Sequence, residues 1–290
     1  MERNSRRAAD GRGAGRCAGR ANMVPMRIGV AGLGTIGSYL VRALADGVPG
    51  LELACIATRD HAKARAWLDR ERVSCPIVKL EAMPSHADLV VECAPAAVLD
   101  DICRPMLSTR KRVMVLSSGA LLTHPELIEL AQHKGGQIIV PTGALIGLDA
   151  VTAAARGEIA SVKLTTRRPP AGLAGAPHLS ANGIAIDALD GPLQVFSGTA
   201  RAAAAGFPAN ANVIAALALA GLGPDQTEVE IWADPALERN CHTVEVEASS
   251  ARFTMTIENV PSENPLTGRI TPLSVLAALA KLRAPLRVGT

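Results

Sequence analysis

The alternation of apolar and polar positions divides the chain into two textures. Between residues 26 and 141, short apolar runs at Ile28–Ala31, Leu51–Ala57, Ile77–Leu80, Ala87–Ala94, Arg112–Leu116 and Gln137–Val140 are separated by segments of helical character at 38–47, 61–72, 97–107 and 125–134. Strands buried on both faces read as continuous apolar runs, and strands that alternate with helices at this spacing predict a parallel, doubly wound α/β sheet. From Thr142 the pattern changes. Runs at Ala160–Thr166, Leu193–Phe196, Glu228–Ala233, Thr243–Ala248 and Phe253–Val260 alternate with period two, with a helix from about Asn210 to Leu222 among them. Period two marks strands that are half exposed, so this part predicts a mostly antiparallel sheet in a second, smaller α+β domain. An apolar helix over 272–283 is expected to return to the first domain. The expected division is a tail over 1–22, a dinucleotide-binding domain over 23–142 plus 262–290, and an α+β domain over 143–261.

The first βα unit carries the sharpest local signal. An apolar strand leads into Gly32-Leu-Gly34-Thr35-Ile36-Gly37, and helical periodicity follows through Tyr39, Leu40, Ala43 and Leu44. This is the strand–turn–helix setting of a dinucleotide-binding fingerprint. Gly32 permits the tight turn, Gly34 lets backbone approach a pyrophosphate, and Gly37 lets the helix close on its strand. The helix start, with Thr35 and Ile36, offers N–H groups and partial positive charge to phosphate. The second strand ends in Ala57-Thr58-Arg59, where a carboxylate would select NAD. Arginine can instead pair with a 2′-phosphate, so the expected cofactor is NAD or NADP, with Arg59 favouring acceptance of NADP.

Composition narrows the class. The chain has 290 residues, 48% hydrophobic but only 2% aromatic, so its core must be built from aliphatic side chains. No apolar run approaches the ~18–20 residues of a membrane span. The six cysteines form no CxxC pair and no cluster with histidine, which argues against a disulfide framework or a metal site and for a reducing, cytoplasmic setting. Of the formal charge of +3, residues 1–22 hold a net +4, six arginines against Glu2 and Asp10, leaving −1 on the rest. The basic character therefore belongs to a tail that reads as a disordered, dispensable extension, with Met23 or Met26 a clean start for the first strand. A nucleic-acid role for the body loses its support.

The candidate chemistry lies in the second part. His242 opens a strand directly after a loop, and an imidazole there, with an ordinary pKa near 6.5, suits acid–base work; a satisfied structural histidine is the other reading. Thr165-Thr166-Arg167-Arg168 ends a strand with two guanidinium groups able to hold a carboxylate, or simply solvated. Asn210 or Asn212 can cap the following helix or hold a carboxamide. Cys93 reads as a small buried hydrophobe, and His178 sits in an Ala/Gly/Pro-rich loop, either a lid or plain surface.

Several motifs, taken in order, resemble the L-aspartate dehydrogenase family: Gly32-x-Gly34-x-x-Gly37, Val91-Glu-Cys-Ala94, Ser118-Gly-Ala120, Gly143-Ala-x-x-Gly-x-Asp149, Thr165-Thr-Arg167, Phe207-Pro-x-Asn-x-Asn-Val213, Asn240-x-His242 and Glu263-Asn-Pro265. The resemblance implies a Rossmann domain with a smaller α+β domain, commonly a homodimer. It also implies hydride transfer from C2 of L-aspartate to NAD(P)+. The product iminoaspartate would hydrolyse to oxaloacetate and ammonia or feed pyridine-nucleotide synthesis. It implies His242 as the acid–base residue and Ala144 and Asn212 as cofactor contacts. Thr166 with Arg167 or Arg168 would then face the substrate carboxylates. After Asn264-Pro265 the chain reads Leu266-Thr267-Gly268, where the family usually follows the threonine with serine. Two other readings share parts of the pattern: a related reductase for homoserine, aspartate semialdehyde or dihydrodipicolinate, and a dinucleotide sensor without turnover.

Overall fold

The computed structural model describes residues 24–261 and 268–290. The basic tail, Glu263-Asn264-Pro265 and Thr267 lie outside the described residues. Strands β1 (Met26–Ala31), β2 (Leu51–Ala57), β3 (Leu89–Glu92), β4 (Arg112–Val115) and β5 (Gln137–Ile139) form a parallel sheet in the order β2-β1-β3-β4-β5. The crossovers carry α1 (Thr35–Gly47), α2 (His61–Glu71), α3 (Met83–His86), α4 (Leu99–Ser108), α5 (Ser118–Leu121) and α6 (Pro125–Lys134). Neighbouring strand residues feed opposite cores, as a doubly wound sheet requires. Ile28, Val91 and Met114 pack with α1 and α2, whereas Val90, Val113 and Val115 pack with α4 and α6.

The expected strand over Ile77–Leu80 is reduced to a single bridge, Ile77 to Ile56. Pro76 has no N–H to donate, and the chain coils into a 3₁₀ turn at Leu80–Ala82, so the ladder cannot extend. With this bridge as the third strand, the sheet order becomes 3-2-1-4-5-6, the dinucleotide-binding order with its crevice at the switch between β1 and β3.

The second layer comprises α7 (Leu148–Ala154), β6 (Ile159–Arg168), α8 (Pro177–Ala181), β7 (Leu193–Thr199), α9 (Ala200–Gly206), α10 (Ala211–Ala220), β8 (Glu228–Ala233), β9 (Asn240–Ala248) and β10 (Arg252–Asn259). Its sheet runs β10-β9-β6-β8-β7, antiparallel except for the parallel pair β6–β8. One face packs on α7, α9 and α10 around Val162, Leu164, Val229, Ile231, Val244 and Val246. Helix α10 is apolar on nearly every side because it lies between this sheet and α5 of the first layer. No single helix among the described residues is long and apolar enough to cross a membrane. Helix α11 (Ile270–Lys281) runs back to α1 and inserts Val275 and Leu279 into the first layer's core. The Ala/Gly/Pro-rich stretch after β6 is anchored: Leu173 and Leu179 are buried, and His178 packs between Phe196 and Phe207 at centroid distances of 5.1 and 5.3 Å.

Candidate active site

At the carboxyl end of the first sheet the glycine turn is built for a ligand that approaches backbone. Gly32 has φ +102°, and a Cβ there would run into the Cys93 carbonyl; a Cβ on Gly37 would overlap the Gly32 carbonyl. Around Gly34 nothing lies within 4 Å of a Cβ position, so the turn is open on the side where a pyrophosphate must come close. Among the described residues no side chain caps α1, which leaves its first N–H groups for an anion. These observations fit a dinucleotide. Arg59 is exposed beyond β2 and forms no ion pair among the described residues. The adjacent carboxylate, Asp60, caps α2 by accepting from the Lys63 N–H at 2.9 Å through Oδ1.

Between the layers lies a cleft. Ile36 and Ser118 line it from the first layer, and Arg168, Asn212, His242 and Asn259 from the second. The second sheet supplies its side chains by a change along its inner face. On β6 the inward series is Val162, Leu164, Thr166, Arg168; on β9 it is Val246, Val244, His242, Asn240; on β10 it is Phe253, Met255, Ile257, Asn259. Each series is apolar under the helices and polar at the cleft. Register does the rest: Thr166 and Ile257 both lie opposite His242, and Asn259 opposite Asn240.

His242 is 1% exposed, and its Nδ1 is 3.1 Å from Thr166 Oγ1. Burial, with the nearby Arg168 charge, lowers its pKa to about 3, so the imidazole is neutral at physiological pH rather than poised near 6.5. Thr166 stands behind the histidine and is absent from the cleft lining, so it touches His242 where direct contact with a substrate is expected. Arg168 is buried, donates through Nη1 to the Gly172 carbonyl at 3.2 Å, and leaves Nε without a partner among the described residues. Burial lowers its pKa to about 10, and no carboxylate pairs with it among the described residues. Arg167 points to the opposite face, stacked on Trp232 at 4.8 Å with Asp234 at 3.7 Å, because neighbouring strand residues alternate. It does not line the cleft.

Asn212, at the start of α10, accepts from the Gly119 N–H at 3.1 Å through Oδ1, while its backbone carbonyl accepts from Ser118 Oγ at 2.9 Å. Its Nδ2 is thereby left as the end without a protein partner among the described residues. Ala144 lies in the loop Gly143–Gly147, whose two glycines have φ +61° and +70°, and its carbonyl accepts from Asn259 Nδ2 at 3.0 Å. Cys93 is packed beside the glycine turn, and burial pushes its thiol pKa up, so it is no nucleophile at neutral pH.

Two residues at the site have no role assigned from the sequence, although one of them, Glu92, lies within the Val91–Ala94 motif. Glu92 is fully buried at the end of β3 and accepts from the N–H groups of Ala94, Leu116 and Ser117 and from Ser117 Oγ. Burial raises its pKa despite these four bonds. It ties the ends of β3 and β4 together and shapes the turn that receives Asn212. Asn259 is the inward residue that ends β10. The signals for both were present: a charge inside an apolar run, and a polar residue in the inward phase of an alternating strand.

Residues 149–282 match the family model for the aspartate dehydrogenase C-terminal region, and 32–141 match that for the NAD-binding domain of homoserine dehydrogenase. The chain is 55% identical over 264 residues to an L-aspartate dehydrogenase of Bordetella bronchiseptica, covering 91% of this chain and 97% of that one. It is 54% identical to that of Bradyrhizobium diazoefficiens, covering 91% and 94%. The fold matches a crystal structure of aspartate dehydrogenase from Thermotoga maritima with TM-score 0.69 at 23% identity, over 91% and 99% of the two chains. By its fold, its ordered motifs and its identity to these relatives over nearly their whole length, the chain belongs to the L-aspartate dehydrogenase family.

Proposed function

We propose that this protein oxidises L-aspartate at C2 with NAD+ or NADP+, yielding iminoaspartate and, after hydrolysis, oxaloacetate and ammonia, with amination as the reverse. The observation that carries this reading within the family is Arg168. A buried guanidinium that meets no carboxylate among the described residues is unfavourable on its own, so its place in the cleft beside His242 supports a substrate anion there.

The Gly32–Gly37 turn and the start of α1 hold the pyrophosphate, with Asn212 and Ala144 on the nicotinamide side. When bound, a nicotinamide dinucleotide supplies the hydride acceptor for C2. Arg168 pairs with a substrate carboxylate and thereby orients C2. His242 exchanges the proton at Nε2, directly with the substrate nitrogen or through the water that adds to the imine, because Nδ1 is engaged by Thr166. A hydroxyl can donate or accept, so Thr166 can follow the imidazole through either tautomer. A carboxylate beside Arg168 offsets the charge that helps to depress His242, which raises its pKa from about 3 toward the working range. The unpaired thiols of Cys55, Cys75, Cys93, Cys103 and Cys241 support a cytoplasmic setting.

The direct test mixes oxaloacetate, ammonium and NADH or NADPH with the protein and follows loss of reduced-nicotinamide absorbance. Turnover that requires both oxaloacetate and ammonium supports the reading; none with either cofactor refutes it. Light scattering tests the homodimer that the family resemblance implies.

A further inference from the structure

Asn259 is 4% exposed and lines the cleft. The Ala144 carbonyl can only accept, so the amide end facing it at 3.0 Å must be Nδ2, which settles the orientation of the side chain. Oδ1 is then held in one direction and has no hydrogen-bond partner among the described residues. A buried acceptor left unmade is costly, and one fixed in place by its own amide nitrogen calls for a donor. Of its cleft neighbours, Arg168 has no acceptor, the acceptor of Asn212 is already used by Gly119, and His242 keeps Nε2 for the proton. Asn240, opposite Asn259, also lines the cleft, but no bond among the described residues fixes its amide, so Asn259 Oδ1 is the amide acceptor held in one direction.

Resting on the dehydrogenase reading above, we propose that Asn259 Oδ1 is the nitrogen subsite: it accepts a hydrogen bond from the amino or imino nitrogen of the substrate. Arg168 and Asn259 end β6 and β10, and His242 lies on β9 between them, one inward step from the Asn240 that ends that strand, all on one face of one sheet. A dicarboxylic amino acid held there meets a cation for carboxylate, an imidazole for the proton and an acceptor for nitrogen. The nicotinamide carboxamide also carries an N–H donor, but Asn259 stands with the substrate-facing strand ends, and the NADH affinity of the variants below separates the two ligands. The Nδ2 bond to Ala144 makes Asn259 a tie between the nitrogen subsite and the loop at the dinucleotide.

The test compares binding of L-aspartate and of succinate, which lacks the amino group, to the NADH-saturated protein by calorimetry. The wild type is expected to prefer L-aspartate by about tenfold or more, the scale of a hydrogen bond to a charged group. Asn259→Leu abolishes the preference while NADH affinity holds, whereas a merely structural role would weaken both ligands together. Where the leucine variant folds poorly, Asn259→Ala is read by the ratio of the two affinities, which a smaller folded fraction leaves unchanged, and it too loses the preference. Equal binding of the two ligands by the wild type overturns the subsite and leaves the dehydrogenase reading standing, as does a preference that persists in Asn259→Leu or Asn259→Ala. A loss in Asn259→Leu that falls on NADH affinity instead also overturns it, by assigning the acceptor to the carboxamide. If neither ligand binds the wild type, both readings fail.

Discussion

The two walls of the cleft are made in opposite ways. The first-layer wall is backbone: glycines whose missing side chains leave room, and helix N–H groups that no side chain among the described residues caps. The second-layer wall is side chains: Arg168, His242 and Asn259, brought from three strands to one sheet end by register. A backbone site is written in six consecutive residues, because what it needs is local conformation. A side-chain site is scattered over about ninety residues and exists only once the strands have paired. The first suits a cofactor that is held by its phosphates, the second a small substrate that must be oriented and deprotonated.

The contrast can be broken experimentally, most strongly at the side-chain wall. His242→Ala should lower kcat by about 10²–10⁴-fold with the NADH dissociation constant nearly unchanged. Near-normal turnover would remove the histidine from the mechanism. Next comes Arg168→Leu, expected to raise the KM for oxaloacetate by about 10²-fold, as loss of a partly desolvated charged hydrogen bond should. Thermal stability of that variant should hold or rise, because an uncompensated buried cation has gone. Arg167→Ala, on the opposite face, should change KM by less than about threefold.

At the backbone wall the glycines should separate. Gly34→Ala has room in the empty turn, so the melting temperature should stay put while dinucleotide affinity falls by about tenfold, from side-chain intrusion on a phosphate. Gly37→Ala must displace the Gly32 carbonyl and should cost about 1–3 kcal/mol of stability as well. If the two variants behave alike in thermal melts, the division of labour within the turn is wrong.

Acid titration probes the burial of His242. Its pKa of about 3 in the fold lies below the ordinary 6.5, so the unfolded chain takes up the proton first as pH falls. Above about pH 6.5 the group contributes no pH dependence; between about 6.5 and 3 it removes about 1.4 kcal/mol of stability per pH unit. Denaturant melts at pH 6 and pH 4 should therefore show a steeper loss for wild type than for His242→Gln. The smallest effect on cofactor binding is that of Arg59→Ala, expected to weaken NADPH by about fivefold, the scale of an exposed charge pair, and NADH hardly at all. Equal effects on the two cofactors would make Arg59 a bystander.

How far the sequence reached follows the same division. The parallel sheet, the glycine turn and the returning helix were legible because apolar runs, glycine spacing and 3.6-residue periodicity report local conformation. The period-two runs after Thr142 announced a half-exposed sheet but not its parallel β6–β8 pair, since pairing partners leave no local mark. The bridge at Ile77 was overread as a strand because apolar residues count equally whether or not Pro76 can join a ladder. Thr165-Thr166-Arg167-Arg168 was visible as a group, yet only the pleat assigns Arg168 to the cleft, Thr166 to the back of His242 and Arg167 to the stack on Trp232.

By itself, then, the sequence determined the class of fold and the family, because each is carried by contiguous residues or an ordered series of them. The tertiary structure decided what the second sheet does. It buried His242 so that its imidazole is neutral and, among the described residues, left Arg168 without a counter-charge and Asn259 Oδ1 as an acceptor without a partner. Protonation, charge compensation and hydrogen-bond satisfaction are properties of what surrounds a group. In this protein those surroundings are assembled from β6, β9 and β10, strands that meet only in the folded sheet.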